Sequence, residues 1–208
     1  KDSMFNDFSG FDADNNPVKI SVPPTLLISS IGIHQDISKA VSLDAKVAGD
    51  LVYVIGETHE ELGGSEYFAH LGSVGNTVPA LDAAAARERY GRLTEAISRE
   101  IVASACPVSH GGLGTALAKV AIAGRLGMDL TLDAGMRPDY FLFSESLGRF
   151  VVTVAPDNKR AFERILGTGA SLLGRVGGRS LRITARKLLL DLTLDELEDA
   201  YKAPFRRY

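Results

Sequence analysis

At 208 residues, with 45% hydrophobic and 24% charged side chains, the chain is long enough to bury a core that needs neither disulfide nor metal. A formal net charge of −3, with Lys and Arg scattered along the chain, argues against nucleic acid as the main partner. The longest apolar runs, such as PTLLISSIGI, fall far short of the ~20 residues that cross a bilayer, and one cysteine, Cys106, excludes an intrachain disulfide and suits a reducing cytoplasm.

The chain starts KDSMFNDF, without an initiator Met or the basic-then-apolar pattern of a leader, and reads as a piece of a longer polypeptide. Residues 1–23, with DADNNP and VPP, have the chemistry of turns and linkers. The β-branched run TLLISSIGI from residue 25 predicts a buried strand, and DLVYVIG (50–56) a second one whose end delivers ETHEELGGSEYF. A helix is predicted from Pro79, with Ala86, Tyr90, Leu93, Ile97 and Ile101 on one face.

IVASACPVS reads as a short strand, and residues 111–124 as a helix with Leu113, Leu117, Val120 and Gly124 inward. MDLTLD and YFLFSES read as strands, with RFVVTVA pairing to the latter. PDNKRAFERIL reads as a helix. In ASLLGRVGGRSLRIT, Gly177–Gly178 predicts a tight hairpin between two strands. TLDELEDAY opens on a capping box, Thr193 to Glu196, with Leu194, Leu197 and Tyr201 inward. The whole is a mixed α/β (α+β) fold, a mixed sheet flanked by helices.

Few residue patterns carry chemistry by themselves. The glycines of GTGASLLGRVGG flank strand-type residues and open no helix, so the segment is not a dinucleotide loop. His34, His59, His70 and His110 lie far apart, none at a zinc-type spacing. Glu57, Glu60 and Glu61 cluster at a strand's end, where they make either oxygen ligands for magnesium or a solvated acidic loop. The SES at 144–146 lacks a nucleophile-elbow frame, and Cys106 has no evident base. The stretch SHGGLG (109–114) admits two readings. Ser109 caps the following helix, or Gly111 and Gly112 let a phosphate approach the same N–H donors.

Four segments, in order, resemble one family. VYVIGETHEELGGSEYF (52–68), PVSHGGLGTALAKVAIAG (107–124), LFSESLGRFVVTVAP (142–156) and LTLDELEDAYKAPF are similar to the second half of phosphoribosylformylglycinamidine synthase, of the aminoimidazole ribonucleotide synthetase superfamily. GETHEELGGSEYF argues against sister enzymes such as the thiamine-phosphate kinase, selenophosphate synthetase or hydrogenase-maturation types. The resemblance implies an ATP-dependent C–N ligase of purine biosynthesis. ATP, with Mg2+, activates the amide oxygen of formylglycinamide ribonucleotide, and glutamine-derived ammonia then forms the amidine.

Residues 1–23 would be the tail of a preceding ATP-binding domain plus linker, and 24–208 the synthetase C-terminal-like domain. The implied partners are that ATP-binding domain, a glutaminase subunit or domain, and a small bridging subunit, with neither nucleic acid nor membrane involved.

Carried over by position, the resemblance implies nucleotide or phosphate contacts from Ser3, Ser109, Gly111 and Gly112. Glu145 and Ser146 match a pair that contacts substrate in the enzyme's first half, and Glu57 a metal-binding carboxylate. No catalytic residue is implied within the chain, so the isolated domain is expected to be inactive. Departures stand at Cys106 and Pro107, where the family often has His-Asp, at His110 in place of Asp, and at Leu147 in place of Gln. Losing a carboxylate at Pro107 removes a hard oxygen ligand. The alternative is therefore a structural or docking module with a vestigial nucleotide-phosphate pocket.

Overall fold

The computed structural model describes residues 7–21, 28–34, 36–132 and 135–207. The chain divides into two compact units, Lys1–Ile37 and Ser38–Tyr208.

In the first unit, strand β1 (Asp7–Phe11) pairs antiparallel with β2 (Pro17–Ser21), Asp7 opposite Ser21 and Phe11 opposite Pro17. The Asp12 side chain makes the turn, its Oδ1 accepting from the N–H groups of Asp14 and Asn16, each at 2.9 Å. These bonds, that from Asn16 foremost, hold the Asp12 carboxyl below its ordinary range. Residues 1–23 thus carry a hairpin beside their turn chemistry.

The strand predicted from residue 25 is not formed where it can be seen. Residues 25–27 lie outside the described residues, and 28–33 carry no strand. Ile28, Ile31 and Ile33 are 78%, 100% and 93% exposed. A strand needs a pairing edge, and no described residue pairs with this run.

The second unit is built on a seven-stranded sheet. Its strands are β3 (Leu51–Ile55), β4 (Val102–Pro107), β5 (Met128–Thr131), β6 (Phe150–Val154), β7 (Ala170–Val176), β8 (Ser180–Thr184) and β9 (Leu188–Thr193). Their order is β4-β6-β3-β7-β5-β8-β9, and only the β5–β8 pair is parallel.

Helices cover both faces around β3. On one face lie α2 (Ala83–Ser98) and α5 (Lys159–Leu166), whose Leu93, Ala96, Phe162 and Leu166 pack with Leu51, Tyr53 and Ile55. On the other lie α3 (Gly112–Gly124), α4 (Pro138–Phe143) and α6 (Leu194–Lys202), whose Leu113, Leu117, Val120, Leu142 and Leu194 pack with Val52 and Val54. Burial on both sides is why LVYVI is apolar at every position. No helix among the described residues is long and apolar enough to cross a membrane.

Strands β3 and β5 form within the predicted DLVYVIG and MDLTLD, α3 within the predicted 111–124, and the Thr193–Glu196 capping box forms as the sequence predicts. Helix α2 begins later than Pro79, because the Asp82 side chain caps it by accepting from Ala85 N–H at 3.0 Å.

Two pairing expectations are overturned. YFLF is helical, not extended. Pro138 stands at the first helical position and Asp139 in the first turn, and both favour a helix start over a strand. Strand β6 therefore pairs with β3 and β4 instead of with 140–146.

Nor do β7 and β8 form a hairpin, since β5 lies between them. Gly177 N–H donates to Gly127 O at 2.8 Å and Gly127 N–H to Gly178 O at 3.0 Å. The glycine turn thus passes across the start of β5 and spans two inter-strand spacings, about 10 Å.

Candidate functional site at one end of the sheet

Because β3 and β6 are antiparallel, the end of β3 at Ile55 lies opposite the start of β6 at Phe150, and β4 ends at Pro107 opposite the same residue. Three loops therefore leave one end of the sheet together: 56–65 after β3, 107–111 after β4 and 144–149 before β6. They are the segments that carry most of the family resemblance.

Arg149 ties two of them. Its side chain is among the largest that are fully buried, with the residue 1% exposed. Its Nε donates to Ser146 O at 2.9 Å, one Nη to Thr58 Oγ1 at 2.7 Å, and the other to Ser144 O. Burial pushes its pKa down to about 10, against the opposing pull of the Glu61 carboxylate.

Glu61 is buried as well. Its Oε1 accepts from Ala80 N–H at 3.2 Å, while its Oε2 has no hydrogen-bond partner among the described residues. The loops are stitched further by Ser146 Oγ, which accepts from His59 N–H at 3.0 Å, and Ser144 Oγ, which accepts from Glu61 N–H at 3.3 Å. A short helix, α1 (Glu66–His70), follows the first loop, and its Tyr67 ring stacks on Phe143 of α4 at 4.7 Å.

Glu145 occupies the centre. Its Oε1 accepts from Gly111 N–H and from Glu66 N–H, each at 2.9 Å. Its Oε2 lies 3.7 Å from His110 Nδ1, which lies 3.7 Å from Glu66 Oε1 as well. A carboxylate is thus lodged where α3 begins, at the positive end of the helix dipole.

This geometry bears on both readings of SHGGLG. Ser109 does not cap α3 with its side chain. The capping residue is Gly111, in the left-handed region at φ 79°, and Ser109 contributes its carbonyl, which accepts from Gly112 N–H at 2.9 Å. Gly112 has φ 67°, and a Cβ there would lie 2.7 Å from Leu142 O, so its glycine is required by the turn and by the approach of α4. The Gly111 N–H, beside the helix donors that a phosphate is expected to approach, is held by the chain's own carboxylate.

Of the other positions singled out, Ser3 lies outside the described residues. Glu57 is exposed at the start of its loop. Among the described residues no three His, Cys, Asp or Glu side chains are gathered as a metal-binding group, so Glu57 is a single carboxylate, enough for magnesium only where phosphate and water oxygens complete its shell. Cys106 is buried, and burial pushes its thiol up, which disfavours the reactive thiolate.

The structure therefore brings Gly111, Glu145 and Ser146 into one network and leaves Glu57 apart from it. Sequence reasoning missed Arg149, Thr58 and Ser144, and it read Glu61 only as a magnesium ligand or part of a solvated loop, whereas the structure buries it. The available signal was a lone Arg directly before the apolar strand FVVTV, a position where a charge has to find partners.

A family model described as AIR synthase related protein, C-terminal domain, matches residues 47–185, two thirds of the chain. The chain belongs to that family. Among relatives of this AIR synthase related domain, phosphoribosylformylglycinamidine synthase subunit PurL of Moorella thermoacetica is 38% identical over 186 residues, 85% of this chain and 25% of the relative. The chain thus spans about a quarter of that relative's length.

Among solved structures, T. maritima PurL complexed with FGAR matches with a TM-score of 0.67 at 19% identity, over 77% of this chain and 29% of that one. T. maritima PurL complexed with ATP matches at 0.60 and 20% identity, over 77% and 27%. These two likenesses show a shared fold. The resemblance read from the four sequence segments is borne out, as is the mixed α/β class.

Proposed function

We propose that this AIR synthase related domain is the C-terminal domain of the second half of a phosphoribosylformylglycinamidine synthase, an ATP-dependent C–N ligase of purine biosynthesis. On this reading residues 1–23 are the tail of an ATP-binding domain that precedes it, and 24–208 the domain proper. The reading is carried by the 38% identity to a synthase subunit across 85% of the chain. Its convergent loops 56–65, 107–111 and 144–149 are the segments where that likeness is expected to matter. The partners are the preceding ATP-binding domain, a glutaminase that supplies ammonia, and a small bridging subunit. The compartment is the cytoplasm.

The chain supplies one wall of a site and none of its reactive groups. Ser3, Ser109, Gly111, Gly112, Glu145 and Ser146 are its nucleotide or substrate contacts on this reading, and Glu57 its one metal-binding carboxylate, with phosphate and water oxygens completing the shell. Assayed alone with formylglycinamide ribonucleotide, ATP, magnesium and ammonium, the chain is expected to release no phosphate. Turnover by the chain alone would overturn the reading.

One observation favours a second reading, a structural module with a vestigial pocket. The Glu145 carboxylate holds the Gly111 N–H that a phosphate would need, and Pro107 stands where the family often has a carboxylate. Calorimetry with ADP and magnesium separates the two. Heat of binding by the wild-type chain supports a working pocket. Binding that emerges only in Glu145→Ala supports the vestigial one, with the seat open to an anion once the carboxylate is gone.

A further inference from the structure

At the opposite end of β3 from this site, the sheet carries a second cluster of charged groups. Strand register aligns four of them in a row across one face: Arg175 of β7 opposite Asp129 of β5, Asp129 opposite Arg182 of β8, and Arg182 opposite Asp191 of β9. Arg182 is well matched. Its Nε and one Nη donate to Asp191 Oδ2 at 3.2 and 3.1 Å, and its other Nη lies 3.8 Å from Asp129 Oδ2.

Arg175 is not matched in this way. Among the described residues its guanidinium has no ion pair within 4 Å and donates to Gly49 O at 3.1 Å. Arg179 has a loose contact of 3.7 Å with Asp195, both side chains at least three-quarters exposed.

Arg175, Arg179 and Arg182 line a cleft of about 320 Å³ whose one acidic lining residue is Asp129. Gly177 and Gly178 lie between the first two arginines, and a Cβ built on either would meet nothing within 4 Å. The cleft thus has room beside a glycine turn and two cations whose charge the fold leaves largely uncompensated. Guanidinium forks offer paired N–H donors at the spacing of phosphoryl oxygens.

We propose that the cleft around Gly177–Gly178 binds a phosphate-bearing small ligand, with Arg175 and Arg179 as its charged contacts. The volume stands at the low end of ligand sites and suits a phosphate monoester or pyrophosphate rather than a polymer. The preference is for a dianion, because Arg175 has no ion pair within 4 Å among the described residues and Arg179 only the loose, exposed contact with Asp195.

The test is titration of the whole chain with inorganic phosphate, pyrophosphate and sodium chloride at matched ionic strength, following the amide signals of Gly177 and Gly178 by NMR. Saturable shifts with phosphate or pyrophosphate, and none with chloride, are expected. Arg175→Gln and Arg179→Gln should each weaken binding about tenfold, the scale of one charge-assisted hydrogen bond.

Gly177→Leu is a second route. Its φ is not in the left-handed region and a Cβ there meets nothing within 4 Å, so a side chain is added to the cleft lining without straining the turn. It should abolish the shifts while leaving the urea midpoint unchanged. The proposal is overturned by an absence of saturable shifts, by undiminished binding in the Arg175→Gln/Arg179→Gln double variant, or by shifts confined to Glu66 and Gly111.

Discussion

Replacing Arg149 by methionine measures how much of the loop cluster rests on one buried cation. Methionine fills the volume of the stem but removes every donor. Ser144 O and Ser146 O then lose their guanidinium partner in a buried setting, and Glu61 keeps a buried carboxylate with no cation to offset it. Each stranded acceptor costs about 1–3 kcal/mol, and the buried Glu61 carboxylate loses the attraction of a nearby cation as well. The terms overlap, because the loops relax once untied, so the expected loss is about 4 kcal/mol, a large part of the stability of an ordinary domain.

With a urea slope of about 2 kcal/mol/M, the midpoint should fall by about 2 M. Arg149→Lys keeps the charge but not the three-way fork and should fall between the two. Glu61→Gln still offers an oxygen to Ala80 N–H and removes the unpartnered charge, so Arg149→Met/Glu61→Gln should cost less than the two single changes added together. A midpoint shift below about 0.5 M for Arg149→Met, under 1 kcal/mol at that slope, would refute the argument.

Three further expectations follow from single positions. Asp50 is buried, its Oδ2 lacks a hydrogen-bond partner among the described residues, and burial raises its pKa above the ordinary 3.8. A raised carboxyl favours the fold below its unfolded pKa, and that benefit is lost as pH rises through the folded value. Asp50→Asn should therefore raise stability at pH 7 by about 1 kcal/mol, a midpoint shift of about 0.5 M at that slope, and lose its advantage below pH 3.8; an equal effect at both pH values would contradict this.

Gly112→Ala places a Cβ 2.7 Å from Leu142 O at φ 67°, and should cost about 3 kcal/mol from strain and clash together, read by thermal unfolding. Cys106, buried with a raised pKa, should react with a thiol-specific disulfide reagent only at the rate of unfolding; a rapid reaction at pH 8 would show the strand end to be open.

How much was legible in the sequence depended on whether a signal was local. The capping box at Thr193 and the apolar stripe Leu113, Leu117, Val120 are complete within one turn or one helix face, and both form as read. The run YFLF misled because four successive apolar residues carry no period, and only the preceding Pro138 and Asp139 marked a helix start.

Gly177–Gly178 misled for a different reason. A glycine pair shows that a chain reverses, but not what lies between the arms, and β5 comes from about forty residues earlier. At the site, the positions of Gly111, Glu145 and Ser146 came from resemblance, whereas the grip of Arg149 on two loops depends on contacts across the sheet end that no spacing reveals.

The placement of β5 has a consequence for how the chain reaches its native state. A strand threaded between two later neighbours has to be waiting before either can find its edge, and direct zipping of those neighbours to each other would shut it out. Pulse-labelled hydrogen exchange during refolding should then show the Gly127 and Gly177 amides gaining protection together and late, after those of β3 and β6, as non-local pairing requires.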